Sequence, residues 1–344
     1  MRILIVKLGA VGDCVHTLYA LHALRRSFPT AHIGWVVEGK SAKVVVGHPD
    51  LDQVHVFNRV GFMSDLRALG LRKAYGKLLS TVGPLREQPY DIAIDFQTLL
   101  KSGIFSLASN APLRIGFDKW REGSRLFNNV LVTPQPDDLH AVQKYMALVQ
   151  AAGAQRCLEP PGLYVPEVEK LEVDRFFAEQ RLDSGRVVAI NPAASWPTKR
   201  WDPERYGAVA RELAQRGYTP LVIWGPGEEE LAQIVAKGSK AGALIAPPTA
   251  LQALAHLLSR CALYLGSDSG PMHIAAVMGT PVVALFGPSD PQRVGPLVEP
   301  SRVLTHEVDC GPCWKHECPD PRCINRISVE QVVAATLEIL DSRP

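Results

Sequence analysis

Between Cys261 and Phe286 the chain compresses a complete strand–turn–helix–strand unit into one short stretch. Cys261 to Gly266 is an apolar run that reads as a buried strand. Ser267-Asp268-Ser269-Gly270 is a tight polar turn. Pro271 opens a short helix, where its missing N–H costs nothing. Gly279 closes that helix, and Pro281 to Phe286 is the next strand. Strands this apolar need cover on both faces, which points to a parallel sheet sandwiched between helices. In open α/β sheets, ligands bind at the carboxyl ends of the strands, where this turn lies. The helix start offers free N–H groups and a positive dipole end that suit a phosphate. Asp268 adds an acceptor beside the small Ser269–Gly270 pair. An ordinary strand-to-helix turn capped by Asp or Ser explains the same residues.

The same alternation runs through both halves of the chain. Arg2 to Leu8 is a continuous apolar strand, followed by a turn over Gly9 to Asp13. The next helix carries Val15, Leu18, Leu21, Leu24 and Phe28. Strands follow at Ala31–Val37, Val54–Phe57 and Tyr90–Asp95, with shorter ones near Arg114–Phe117 and Val130–Val132. A helix from His140 to Ala152 ends at Gly153, and Pro160, Pro161 and Pro166 punctuate a stiff linker. The second half restarts with a strand at Val187–Asn191 and a loop from Pro192 to Arg200. Asp202 caps a helix with Pro203 at its first position and Gly217 at its end. Thr219–Trp224 is a strand, a helix starts near Glu229, a short strand lies near Leu244, and Thr249 caps the helix that follows. The opening unit, a cysteine loop and a last helix, Val329–Leu340, complete the chain. The expectation is an α/β protein of two doubly wound, Rossmann-like domains.

At 344 residues, with 47% hydrophobic and 21% charged, the chain suits two globular domains. A formal charge of +2 argues against a general nucleic-acid binder. The charge is uneven, however. From Arg59 to Arg86 lie Arg59, Arg67, Arg72, Lys73, Lys77 and Arg86 against Asp65 alone, a surface for a phosphorylated substrate or a lipid headgroup, or simply a solvated helical face. The apolar start is too short for a signal peptide, Lys7 interrupts it, and no run reaches the length of a membrane span, so a cytoplasmic protein is expected. Cys14, Cys157 and Cys261 read as packing residues. Cys310, Cys313, Cys318 and Cys323 form C-x2-C-x4-C-x4-C, where a structural zinc or free thiols in a compact loop are both open readings.

Three further strand ends carry chemistry. Gly9-Ala-Val-Gly12-Asp13 lacks the G-x-G-x-x-G pattern, which argues against an ordinary NAD enzyme. Its glycines let a ligand approach the backbone. Asp13, at a helix N-terminus, serves as a cap or as a general base on a bound hydroxyl, and by itself the cap is the simpler reading. In Asn191-Pro-Ala-Ala-Ser195-Trp-Pro-Thr-Lys199-Arg200-Trp201, backbone N–H groups and the Ser195 hydroxyl suit one phosphate, and Lys199 suits leaving-group charge. In Trp224-Gly-Pro-Gly-Glu-Glu229-Glu, a carboxylate at the strand end can accept both hydroxyls of a ribose; Glu229 is favoured, with Glu228 close behind. With the Ser267–Gly270 turn, the last two make three strand ends of one domain that converge on a nucleotide diphosphate.

Taken together, KLGAVGDCVHTLYAL, DFQTLLKSG at 95–103, NPAASWPTKRW at 191–201, WGPGEEE at 224–230 and SDSGPMHIAAVMGTPVVALFGPSDP at 267–291 resemble the heptosyltransferases of lipopolysaccharide core synthesis. The CGPCWKHECPDPRC segment looks like that family too. The WVVE and DFQTLLKS stretches look most like the type I enzymes, which add the first heptose to the Kdo region of lipid A. The resemblance covers nearly the whole chain. It implies a GT-B fold with an interdomain active-site cleft: an acceptor domain over 1–165, an ADP-heptose donor domain over 166–325, and a last helix over 326–344 that returns toward the first domain. It implies Asp13 as the base of an inverting transfer. It places Ser195, Lys199, Glu229, Asp268, Ser269 and Gly270 around the donor, and Gly12 and Lys101 toward the Kdo–lipid A acceptor. No cofactor is required, and the enzyme is expected as a peripheral protein at the cytoplasmic face of the inner membrane. A departure is the Gly83-Pro84 pair within the long basic segment, which matches nothing in the pattern. Transfer of another sugar or to a later core position, and a non-catalytic sugar-nucleotide binder, are the competing expectations.

Overall fold

A computed structural model describes residues 1–119 and 122–342. The chain divides into two units, Met1–Tyr164 and Val165–Pro344. The first unit runs β1 (Arg2–Val6), α1 (Val11–Ser27), β2 (His32–Glu38), β3 (Gln53–Phe57), α2 (Arg59–Arg67), α3 (Leu71–Glu87), β4 (Ile92–Asp95), α4 (Leu100–Ala108), β5 (Leu113–Phe117), β6 (Val130–Val132) and α5 (Ala141–Ala151). Its six strands are parallel, in the order β3-β2-β1-β4-β5-β6. β1 is apolar at every position after Arg2, and Ile3 to Val6 are fully buried, as a strand covered on both faces requires. The helix after β1 starts at Val11. The expected turn over Gly9 to Asp13 is therefore shorter, and Gly12 and Asp13 lie in the first turn of α1. The unmatched Pro84 sits in the last turn of α3.

The second unit runs α6 (Glu167–Glu179), β7 (Val187–Asn191), α7 (Pro203–Gln215), β8 (Thr219–Val222), α8 (Glu229–Gly238), β9 (Leu244–Ile245), α9 (Leu251–Ser259), β10 (Leu263–Ser267), α10 (Gly270–Val277), β11 (Val282–Phe286), α11 (Pro291–Val294), β12 (Ser301–Thr305), α12 (Arg322–Asn325) and α13 (Val329–Asp341). Its sheet, also parallel, has the order β12-β11-β10-β7-β8-β9. Counted from the first strand of each unit, both sheets share the 3-2-1-4-5-6 order of a dinucleotide-binding fold. The opening unit is β10–α10–β11, with Gly279 at φ 80° closing the helix. Asp202 caps α7 by accepting a hydrogen bond from the Glu204 N–H at 2.9 Å. Val332, Val333, Ala335, Ile339 and Leu340 of α13 join the core formed by α7, β10 and β11.

Further elements differ from expectation, three of them in the second unit. α6 occupies the segment after Pro166, where only a linker was anticipated. β12 adds a strand beyond β11, so Pro281–Phe286 is not the last. The cap of α9 is Ala250, one residue beyond Thr249.

Candidate active site

Each sheet reverses its strand order once, between β1 and β4 in the first unit and between β7 and β10 in the second. At such a point the helices leave to opposite faces and open a crevice beyond the strand ends. Each reversal here carries a lysine–aspartate pair.

In the first unit the pair is Lys7 and Asp13. Lys7 extends β1 by one residue and is buried. Its Nζ lies 3.2 Å from Asp13 Oδ2, donates to Tyr145 Oη at 3.0 Å and reaches the Phe96 carbonyl at 3.5 Å. Burial opposes the lysine's charge, but Tyr145 and Asp13 outweigh it, and the ammonium is held above its ordinary value. The Asp13 side chain is 48% exposed, so one face of the carboxylate is salt-bridged and the other is open to a ligand. The first turn of α1 adds a favourable dipole for the ionised form. Beside Lys7, at the end of β4, Asp95 is fully buried. Burial pushes its carboxyl up to about 6, against hydrogen bonds from the Thr98 N–H and the Ser102 hydroxyl. Asp95 orders the loop that follows β4, and Gln97 in that loop accepts the Leu8 N–H at 2.9 Å. Lys101, on α4, places Nζ 3.2 Å from Glu38. Glu38, Lys40, Arg59, Met63 and Arg67 line a groove of about 400 Å³.

In the second unit the pair is Lys199 and Asp268, 2.5 Å apart and both buried. Ser289 donates its hydroxyl to the same Oδ2 at 2.6 Å, and His273 Nε2 stands 3.6 Å from Oδ1. Burial alone would raise the Asp268 pKa. His273 and Lys199 reverse that and hold it at about 2. The Lys199 ammonium lies 4.2 Å from the Trp196 ring centre and 5.9 Å from that of Trp314. Asn191, at the end of β7, donates to Tyr264 Oη at 3.1 Å and to Ser269 Oγ at 3.3 Å. That fixes the residue preceding α10 across the strand reversal. Ser269 does not cap α10 with its side chain, and Gly270 is the first helical residue, so the first-turn N–H groups of α10 are available to an anion.

The structure thus joins Lys199 to Asp268 and Ser269 to the end of β7. Ser195 is exposed on the loop between β7 and Lys199, and Glu229 is exposed at the first position of α8. Among the described residues, no hydrogen bond ties either to the Lys199–Asp268 pair. Glu228 is occupied: its Oε2 accepts the Gly225 N–H at 2.9 Å. Trp196, Trp314, Ser289, His273, Lys7 and Tyr145 were not foreseen as site residues. The single lysine ending an otherwise apolar strand was a readable signal for Lys7. The tryptophans carried none.

The sequence left a structural zinc and free thiols both open for the four clustered cysteines. Cys310, Cys313, Cys318 and Cys323 line one small pocket of about 20 Å³ with Thr198 and Pro288. Yet no three of their sulfurs come within 4.8 Å of one another, a distance that His22, Cys157 and Glu159 do reach. The thiols are free, and their sulfurs are not gathered into one cluster. The loop instead serves the Lys199 segment: Thr198 donates its hydroxyl to the Lys315 carbonyl at 2.7 Å, and His316 stacks on Trp196 at 3.8 Å.

The model of glycosyltransferase family 9 (heptosyltransferase) matches residues 79–323. Lipopolysaccharide heptosyltransferase 1 of Pseudomonas aeruginosa is 28% identical over 323 residues, covering 92% of this chain and 87% of its own. Among solved structures, a family 9 glycosyl transferase from Veillonella parvula superposes with a TM-score of 0.81 at 25% identity, over 99% of this chain and 97% of that one. The E. coli heptosyltransferase WaaC, solved with ADP, shares the fold with a TM-score of 0.78 at 23% identity, over 98% and 100% of the two chains.

Proposed function

The chain belongs to glycosyltransferase family 9, the heptosyltransferases, and from that premise we propose that it moves L-glycero-D-manno-heptose from ADP-heptose to the Kdo region of lipid A, with inversion at the anomeric carbon. The second unit binds the donor and the first unit the acceptor. The observation that carries this reading is the buried Lys199–Asp268 pair at the strand reversal of the second sheet, beside the open N-terminus of α10.

An ammonium has three N–H donors. One meets Asp268, and the others are free to turn to a diphosphate. Asp268 holds Lys199 in place and stays ionised, while Ser195 and the amides at Ser269 and Gly270 complete the phosphate cradle. Glu229 takes the ribose hydroxyls. Asp13 is the base: it removes the proton from an acceptor hydroxyl while that oxygen bonds to the anomeric carbon. The bond from that carbon to the diphosphate oxygen breaks through an oxocarbenium-like transition state. The charge that gathers on ADP falls on Lys199 and the α10 amides, which are placed before the reaction starts. Gly12 leaves room for the acceptor beside Asp13, and Lys101 attracts its anionic groups.

No helix among the described residues is long and apolar enough to cross a membrane. A lipid-linked acceptor places the enzyme at the cytoplasmic face of the inner membrane as a peripheral protein. The test is incubation with ADP-heptose and truncated Kdo–lipid A, read by mass spectrometry. A gain of one heptose, suppressed by ADP but not by UDP or GDP, is expected. A gain only on an acceptor that already carries heptose would move the activity to a later core position, and transfer from a UDP- or GDP-sugar would overturn the donor assignment.

A further inference from the structure

The connection between β3 and β4 is the helical pair α2 and α3, and it holds an apolar ridge in solvent. α3 buries Ala74, Thr81, Val82 and Leu85 on one side. Nearer its start, at the border of that buried side, Leu71, Tyr75 and Leu79 stand at positions i, i+4 and i+8, with exposures of 65%, 60% and 39%. Residues so spaced share one helical face. Leu69, in the turn before α3, is 84% exposed, and Val60 and Met63 of α2 are 65% and 38% exposed. α2 itself buries no residue.

The cations beside this ridge are unspent. Arg67 and Arg72 are exposed and enter no ion pair among the described residues. Asp65, the lone acid between Arg59 and Arg86, is neutralised by Lys77 at 2.6 Å. A row of exposed leucines and a tyrosine is costly in water, and the adjoining unpaired cations specify what should cover it. An anionic bilayer takes apolar side chains into its acyl boundary and lets arginine and lysine heads reach the phosphates.

We propose that the α2–α3 pair docks the protein on an anionic lipid bilayer, with Leu69, Leu71, Tyr75 and Leu79 inserted and Arg67 and Arg72 at headgroup level. The proposal deepens the reading of a membrane-linked acceptor and rests on it for its purpose, but its test needs no acceptor. The full chain is sedimented with vesicles of phosphatidylglycerol and phosphatidylethanolamine, and with vesicles of phosphatidylcholine alone. Binding about tenfold or more tighter to the anionic vesicles is expected, and it should weaken as salt rises. The triple variant Leu69→Ser, Leu71→Ser, Tyr75→Ser should lose about tenfold in vesicle affinity, because the inserted area is gone. The double variant Arg67→Gln, Arg72→Gln should bind both vesicle types alike. On a detergent-dispersed acceptor the serine variant should turn over as the parent does. Equal vesicle binding by parent and serine variant, or no preference for anionic vesicles in the parent, overturns the proposal. A protein that binds vesicles as described but transfers no heptose would instead overturn the activity and leave the docking surface standing.

Discussion

Lys7–Asp13 and Lys199–Asp268 occupy equivalent strand reversals and differ in the exposure of the acid. Asp13 is half open to solvent, whereas Asp268 is buried among Lys199, His273 and Ser289. A group that must accept a proton from a ligand needs the first environment; one that orients a cation needs the second. Asp268 also ties stability to pH. Its folded pKa of about 2 lies below the ordinary 3.8, so its contribution is fully present above 3.8 and is lost as pH falls toward 2. By linkage that contribution is about 2 kcal/mol. Urea unfolding at pH 5 and pH 2.5 should show it in the parent protein. Asp268→Asn should be less stable at neutral pH, since Lys199 loses its partner, but should lack this acid-dependent component. Parallel pH profiles for the two proteins would contradict the assignment. At this scale the sequence disclosed Lys199 and Asp268 because small residues and charges at strand ends are visible as a pattern. It did not disclose Trp314 or Ser289, which come from loops distant in the chain and meet Lys199 and Asp268 only through folding.

The largely apolar strands β1, β7, β10 and β11 were legible as elements because a strand buried on both faces leaves an almost uninterrupted run. α6 was not. It buries only Val173 and Phe177, exposes Val168 and Leu171, and follows a proline-rich stretch, so its apolar stripe is faint. β12 escaped for a related reason: it is an edge strand with no buried residue. Some helix contacts are stricter than any stripe suggests. α7 and α8 meet at Gly207 and Gly238, and a Cβ on Gly207 would stand 2.9 Å from Gly238 Cα and 3.0 Å from the Val235 carbonyl oxygen. Gly207→Ala must push two backbones apart and should cost about 1–3 kcal/mol. In α3, Gly76 has nothing within 4 Å of its missing Cβ. Gly76→Ala should stabilise by about 0.5–1 kcal/mol through helix propensity alone. Chemical denaturation of both variants checks the contrast. A neutral Gly207→Ala would mean that the two helices have slack between them.

Over the whole chain, one architecture appears twice: two parallel six-stranded sheets in the same strand order, each carrying a lysine–aspartate pair where that order reverses. The α/β fold class was legible because the alternation of apolar runs and amphipathic helices repeats along both halves. The metal reading of the cysteine loop was not secure, because ligand spacing in sequence does not ensure that sulfurs converge in space. The proposed function divides labour between the two units, with proton removal at Asp13 and leaving-group stabilisation at Lys199. That division is the central claim, and paired substitutions test it. Turnover with ADP-heptose and Kdo–lipid A is measured beside ADP affinity by calorimetry, for Asp13→Ala and Lys199→Ala. Asp13→Ala should lose about 10²-fold or more in turnover, the scale of a general base, with ADP affinity within about twofold of the parent. Lys199→Ala should weaken ADP binding by about tenfold or more, as loss of a charged hydrogen-bond donor to phosphate requires. Near-normal turnover in Asp13→Ala, or an unchanged ADP dissociation constant in Lys199→Ala, would contradict the account.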